Sequence, residues 1–424
     1  MRHITEMITK RPFMRPLFLW IMGILLYVFV PDVWLFPFVC LCWLLLLVGL
    51  GINCVQKHYL LKYATRWITT MPLILLLLTL SVETCYLRER YPESAFPCWQ
   101  TEAAKVQSLL VARLDTLSLS DAEKSVLATL TLGYRKAMRQ EVRQQFAAAG
   151  VAHVLAVSGF HVAIICGLLS GLTLFLRRWS WGMWMRYWLL IVGLWGFAFL
   201  TGLSPSAVRA ALMLSFYLTG KQLSRSKDSY NTLFAAAFWM LVYRPFFLFD
   251  VGFQLSFLAV GFILMWLPIF RRVIIVRNPL VAYLWNSVLV ALAAQMGTMA
   301  LTLFYFKQGS LLFLLTCLPL SLMAMGLIPS TLLWLCFPQG SWIAFYGQCL
   351  IEWQAKAMMW LVERCAAIPF ATVQWSFDGV EVIAIYALLF LGWMFMEQRR
   401  PKQLLAMMGI GLFLSVKIFI GLLL

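Results

Sequence analysis

Charge is scarce in this 424-residue sequence, and acidic charge scarcer still. Charged residues make up 12% of the chain, with 17 Asp and Glu against 34 Lys and Arg. A soluble domain is nearer a quarter charged, so a large water-facing domain is excluded. Histidine occurs at only four positions. No G-x-x-x-x-G-K-[ST] loop is present, which rules out ATP hydrolysis by that motif. H-x-H-x-D, H-E-x-x-H and C-x-x-C are missing as well, so a zinc or metallo-hydrolase site has no ligand set at a usable spacing. Neither a metal nor a cofactor is expected, and no internal repeat is evident.

Apolar residues fill the space that charge vacates, at 62% of the chain. A helix needs roughly 20 apolar residues to cross a bilayer core, and runs of that kind recur throughout. The expected fold is all-α, a polytopic transmembrane helix bundle of 11 to 13 membrane segments. Helices are expected over 17–30, 33–52 and 67–83, then at 151–176, 187–201, 205–220, 230–243, 250–269, 281–305 and 310–337. A mixed helix covers 341–367, and spans at 379–396 and 404–424 close the series. The count turns on whether 310–367 is a hairpin or two full crossings. The start imitates a secretory signal, but a second apolar run follows without a small-residue cleavage site. It reads as a retained first helix.

The excess of basic charge is mostly orientation. Six loops on one side (1–16, 53–66, 177–186, 221–229, 271–279 and 397–403) hold 19 of the 34 basic residues and 3 of the 17 acidic ones. Cytoplasmic loops collect Lys and Arg, which places the N-terminus in the cytoplasm and the C-terminus outside. The other side holds 13 basic and 14 acidic residues, and Arg209 and Lys417 remain inside apolar segments. Four parts follow: N-terminal helices over 1–83, a short outer polar segment over 84–120, amphipathic surface helices over 121–149, and a transmembrane core over 150–424. Ser120-Asp-Ala-Glu123 offers a capping box at the start of the third part, and Gly133 a break within it. A disulfide between Cys85 and Cys98 in the outer segment is chemically allowed.

Four stretches of the core carry polar groups where hydrocarbon would be expected. In "HVLAVSGFHVAIIC", residues 153–166, Ser158-Gly159 interrupts the run and predicts a broken helix with His153 and His161 on its two halves. Irregular backbone at membrane depth survives only where it lines protein or a water-filled cavity. The two imidazoles either hydrogen-bond neighbouring helices or line a polar conduit. A catalytic Ser158–His161 pair is a third reading, although no adjacent carboxylate orients the ring. In "LTGLSPSAVRAALML", residues 200–214, Gly202 suits a helix C-terminus, Ser204 a cap, and Pro205 the first helical position. Arg209 then lies about one turn inside the membrane. It either reaches back to the interface or works inside the bundle. In "YRPFFLFDVGFQLSFLAVGF", residues 243–262, Asp250 sits at a helix start with Gln254 one turn on. Asp250 either caps that helix or pairs with Arg209. In residues 291–306, Gln295 and Thr298 share a face with Ala291, Ala294 and Gly297 near by, a pattern that favours close helix packing.

Three of these stretches, "TLGYRKAMRQEVRQQFAAAGVAHVLAVSGFHVAII", "TGLSPSAVRAALM" and "DVGFQLSFLAVGF", resemble in order the membrane core of the ComEC family of bacterial competence proteins. The resemblance runs from about residue 110 to 400. It implies an inner-membrane channel that passes single-stranded DNA into the cytoplasm during natural transformation. His153, Ser158, Gly159, His161, Arg209, Asp250, Gln254 and Gln295 are the candidate conduit or scaffold residues. Lys124, Arg135, Lys136, Arg139 and Arg143 are candidate DNA contacts, since grooves for single strands combine cations with aromatic faces. Family members also carry an outer OB-like domain and a C-terminal metallo-β-lactamase-like domain, and neither has a counterpart here. The resemblance therefore implies no enzymatic activity in this chain, and a nuclease supplied separately if at all. It also implies a cytoplasmic helicase-like motor and an outer DNA receptor. Two rival readings are a transporter of a small solute or lipid-linked glycan on the same core, and an intramembrane hydrolase using Ser158 and His161.

Overall fold

A computed structural model describes residues 11–55, 66–91, 97–136, 138–223, 228–274, 276–310, 312–338, 340–368 and 372–423. In chain order the helices are α1 Met14–Phe29, α2 Asp32–Val55, α3 Arg66–Arg90, α4 Pro97–Leu114, α5 Asp121–Leu132, α6 Gln140–Ala148, α7 Gly159–Leu172 and α8 Ser180–Leu200. They continue as α9 Pro205–Gln222, α10 Ser229–Tyr243, α11 Val251–Val273, α12 Pro279–Phe306, α13 Phe313–Cys336, α14 Trp342–Ala366, α15 Gly379–Gln398 and α16 Pro401–Leu423. Two three-residue strands, β1 Gln308–Ser310 and β2 Thr372–Gln374, pair antiparallel with Gly309 opposite Val373.

Among the described residues, six helical stretches are long and apolar enough to cross a bilayer: Met71–Arg90, Trp181–Leu200, Val251–Val273, Pro279–Phe306, Phe313–Cys336 and Gly379–Gln398. Only 6% to 33% of each is buried inside the protein, so most of their apolar surface faces outward and needs a hydrocarbon solvent. Prolines 37, 72, 268, 319 and 329 sit inside helices. Membrane helices tolerate them because neighbouring groups re-satisfy the freed backbone. At the start of α8, Trp181, Trp184 and Trp188 are exposed beside Arg177 and Arg178, the pairing of aromatic and basic anchors found at an interface.

The chain divides into two compact units. The first comprises residues 1–97 and 212–254. Residues 212–254, read from sequence as part of the 150–424 core, therefore pack with the N-terminal helices. Hydrophobic periodicity along a span says which stretch is helical but not which helix it meets. Here α1 and α2 both lie on α3, and α10 lies on α1. Trp20 meets Phe238 edge-on at 5.5 Å, the Phe13 N–H donates to Asn231 Oδ1 at 3.0 Å, and Arg11 pairs with Asp228 at 2.9 Å. Trp43 Nε1 donates to Glu83 Oε1 at 2.7 Å, giving that carboxylate a partner among apolar helices. Cys85 is a buried free thiol, and the side chain of Cys98, its suggested disulfide partner, lies outside the described residues.

The second unit comprises residues 98–211 and 255–424. α7 packs on α8, α13 on α14, and α15 on α16, while α12 meets both α13 and α15. Phe262, Trp266, Ile269 and Ala293 form a buried cluster. Gly297 lies against it so closely that a Cβ there would stand 2.7 Å from Phe262 Cβ. Small residues at such a crossing let two helices approach, as the 291–306 pattern anticipates. Thr298 bonds within its own helix, to the Ala294 carbonyl at 3.0 Å.

Two expectations change in this unit, whose first helix is α4. The segment read as amphipathic surface helices is so only in its second half. α5 buries every residue from Ser125 to Leu132, whereas α6 buries Val142 and Phe146 and exposes its arginines. α5 is short and mildly polar, and only contacts with α13 and α14 reveal that it is enclosed. Lys417 is not stranded in lipid either. Its Nζ lies 3.1 Å from Asp378 and 3.5 Å from Glu381 at the start of α15.

Candidate functional site

The 120–162 segment builds a turn-rich wedge. Ser120 caps α5: its N–H donates to Glu123 at 2.8 Å and its Oγ accepts from the Glu123 N–H at 3.3 Å, as the sequence pattern requires. α5 ends at Gly133, whose φ of +70° is left-handed. A side chain there would meet Val157 Cγ2 at 3.1 Å and the Thr201 carbonyl at 3.2 Å, so glycine answers both a backbone and a packing demand. α6 follows, and its end is tied to α13 where Thr316 Oγ1 donates to the Ala149 carbonyl at 2.6 Å. Ala152–Val154 then form a single 3-10 turn that carries His153.

The helix expected over 151–176 is broken where the sequence indicates. Ser158 is extended and α7 begins at Gly159. The main-chain N–H of Ser158 donates to Nδ1 of His161 at 3.2 Å, and Ser158 Oγ lies 2.9 Å from the same nitrogen. His161 thus does the work that Glu or Gln does at the third position of a capping box. Because Nδ1 accepts from the N–H, the ring proton sits on Nε2, which is buried without a hydrogen-bond partner. No carboxylate orients this imidazole, and its Nδ1 already serves the Ser158 amide. The Ser158–His161 contact therefore reads as a helix cap rather than a nucleophile with its base.

The two histidines of this motif are placed differently. His161 is fully buried. His153 is exposed. Its ring lies 5.7 Å from Phe313. Ala152, Gly159 and Phe160 are exposed beside it in a stretch whose other members, from Val154 to Val162, are mostly buried. The break therefore brings exposed residues into an otherwise buried stretch.

The second motif adjoins the first. α8 closes with Gly202 and Leu203 both left-handed, their N–H groups donating to Phe199 and Ala198. Ser204 does not cap α9 as expected: its Oγ is buried and unbonded, and only its carbonyl joins the helix. Gly159 faces Ala210 of α9. Arg209, one residue before, is 6% exposed, so it does not reach out to the interface. The third motif belongs to the first unit, where Asp250 caps α11 by accepting from the Phe253 N–H at 2.7 Å and Gln254 donates to the Leu248 carbonyl at 2.9 Å. Gln295 is half-buried on α12.

One contact had no sequence signal. Arg113, read only as an outer charge, donates to the Leu335 carbonyl at 2.8 Å and to the carbonyl of Phe337, and stacks over Trp334. It closes the last turn of α13, where unpaired carbonyls and the negative end of the dipole favour a cation. Ser118 N–H donates to Glu352 of α14 at 2.8 Å, which fastens the same corner. Among the described residues, no group of three or more His, Cys, Asp or Glu side chains is placed to hold a metal ion.

Apolar helices with outward apolar faces, one of them broken at a capped start, define a polytopic α-helical membrane protein. Residues 130–400 match the family model described as "Competence protein". The match covers well over half of the chain, and the chain belongs to that family. A 290-residue stretch is 27% identical to ComE operon protein 3 of Bacillus subtilis (strain 168), covering 67% of this chain and 36% of that protein. An uncharacterized protein of Aquifex aeolicus (strain VF5) is 33% identical over 135 residues, 31% of this chain and 30% of the relative. Uncharacterized protein YcaI of Escherichia coli (strain K12) is 25% identical over 148 residues, 34% of this chain and 19% of that protein. The chain thus aligns with about a third or less of each relative's length. No solved structure matches it.

Proposed function

We propose that this chain serves DNA uptake in competence, as a conduit that passes single-stranded DNA across the bacterial cytoplasmic membrane. The observation that carries the reading is the opening at the broken helix. His153, Gly159 and Phe160 are exposed inside an otherwise apolar stretch that lies within the family match. A strand brings one negative charge per nucleotide, which hydrocarbon rejects, so its route is wet and lined by backbone and polar groups. The buried guanidinium of Arg209 on the neighbouring helix adds positive charge beside that route.

On this reading the chain does no chemistry on DNA. An outer receptor delivers the strand, a helicase-like motor in the cytoplasm draws it in, and any nuclease is a separate activity. The basic loops described above support a cytoplasmic N-terminus. The test is a strain lacking this gene. Transformation is expected to disappear while DNA still binds the cell surface, and restored by the wild-type chain. Transformation at the parental frequency in the deletion strain rejects the proposal.

A further inference from the structure

Arg135, Lys136, Arg139 and Arg143 lie within nine residues, with Glu141 the one acidic residue among them. All four cations are exposed. The structure separates them, along with Lys124, into two kinds. Lys124 is occupied by the Asp115 carbonyl at 2.8 Å, and Arg139 by Asp121 at 3.3 Å. Arg135, Lys136 and Arg143 have no carboxylate within ion-pair distance among the described residues. Arg143 instead folds back so that Nη2 lies 3.4 Å from the carbonyl oxygen of Arg135. Close surrounding protein, and then the charge of Arg143, hold the Arg135 guanidinium below the usual arginine range. Three cations without carboxylate partners in one place raise the local positive potential, which attracts a polyanion.

Orientation does not account for them. Gly133, which starts this loop, abuts Thr201 in the turn after α8, and Arg177 and Arg178 lie in the 3-10 turn that precedes the other end of α8. The cluster is therefore on the side opposite those basic loops, where these four are among 13 basic residues that stand against 14 acidic ones. Gly133 also touches Val157 of the broken segment, so the loop adjoins the segment that carries His153.

We infer that Arg135, Lys136 and Arg143 bind consecutive phosphates of single-stranded DNA at the non-cytoplasmic rim of the second unit. This rests on the conduit reading and assigns the strand its first contact. Three phosphates in a row match three unpaired cations better than a single lipid headgroup does. The test uses the full chain in phosphatidylcholine nanodiscs and a fluorescent oligothymidylate, with binding followed by anisotropy across a salt series. Each phosphate contact on a single strand contributes about 0.7 to the slope of log affinity against log salt. The R135Q/K136Q/R143Q variant is expected to lower that slope by about 2, and Arg139→Gln to leave it unchanged. If the triple variant fails to fold, Arg143→Gln alone is expected to lower it by about 0.7. A wild-type slope in folded variants overturns the site and leaves the conduit standing. No oligonucleotide binding by the wild-type chain overturns both. A slope change that appears only with phosphatidylglycerol present assigns the cations to lipid headgroups and overturns the site.

Discussion

His161 separates a structural from a chemical role for the broken helix. Its Nδ1 accepts the Ser158 N–H at 3.2 Å in a fully buried position. His161→Ala leaves that N–H without an acceptor, at a cost of about 1–3 kcal/mol. The vacated ring volume adds to this, so the total loss is about 3 kcal/mol or more. Since 1.4 kcal/mol is a factor of ten, the capped arrangement loses roughly a hundredfold in population or more. Gln at the same place restores a Ser-x-x-Gln capping box, with an oxygen to accept the N–H and a side chain of similar reach. Its cost is expected to stay near 1 kcal/mol, within the range for a volume-conserving exchange. The assay pairs thermal unfolding of the detergent-solubilised chain with transformation frequency in a strain carrying each variant. His161→Ala should be low on both, and His161→Gln close to wild type on both. A His161→Gln protein that unfolds like wild type yet transforms as poorly as His161→Ala would refute the capping argument and return the imidazole to chemistry. His153→Ala supplies the contrast: its ring is exposed, so stability should hold while transformation falls.

Other expectations follow from single contacts. Gly297→Ala places a Cβ 2.7 Å from Phe262, so the α11–α12 crossing must shift, lowering stability by about 1–3 kcal/mol in a detergent melt. Gly133→Ala forces a side chain into φ +70° against Val157 and Thr201. It should cost at least about 1 kcal/mol, more than a Gly-to-Ala change in an open loop. Because Thr116 and Gly340 line the same pocket, Asp115→Cys and Gly340→Cys should react with an impermeant maleimide from the same side of the membrane. Labelling from opposite sides contradicts the docking of the α13–α14 corner on residues 113–118. Lys417→Leu should destabilise the α15–α16 pair, because Glu381 is then left almost buried without its cation.

Much of the architecture was legible because it depends on local chemistry. The capping box at Ser120, the left-handed ends at Gly133 and Gly202, and the break at Ser158-Gly159 all follow from what neighbouring residues permit the backbone to do. Asp250 as a helix cap is of the same kind. The misreadings share a different cause. α5 has few strongly apolar residues, and its enclosure comes from α13 and α14. Lys417 finds its partners 36 and 39 positions earlier in the chain. Arg113 meets carbonyls more than 200 residues away, and no spacing rule covers such a contact.

By itself the sequence determined the solvent: runs of apolar residues with so little charge can only be covered by hydrocarbon. It also determined where helices start and break, since caps, glycines and prolines act within a turn or two. Only the tertiary structure decided that 212–254 packs with the N-terminal helices, that His161 is sealed in while His153 is open, and which cations of the 124–143 segment are already spoken for. The physical reason is distance along the chain. Burial and ion pairing depend on what stands within a few ångströms in space, and in a helix bundle that neighbour comes from any span of the right length.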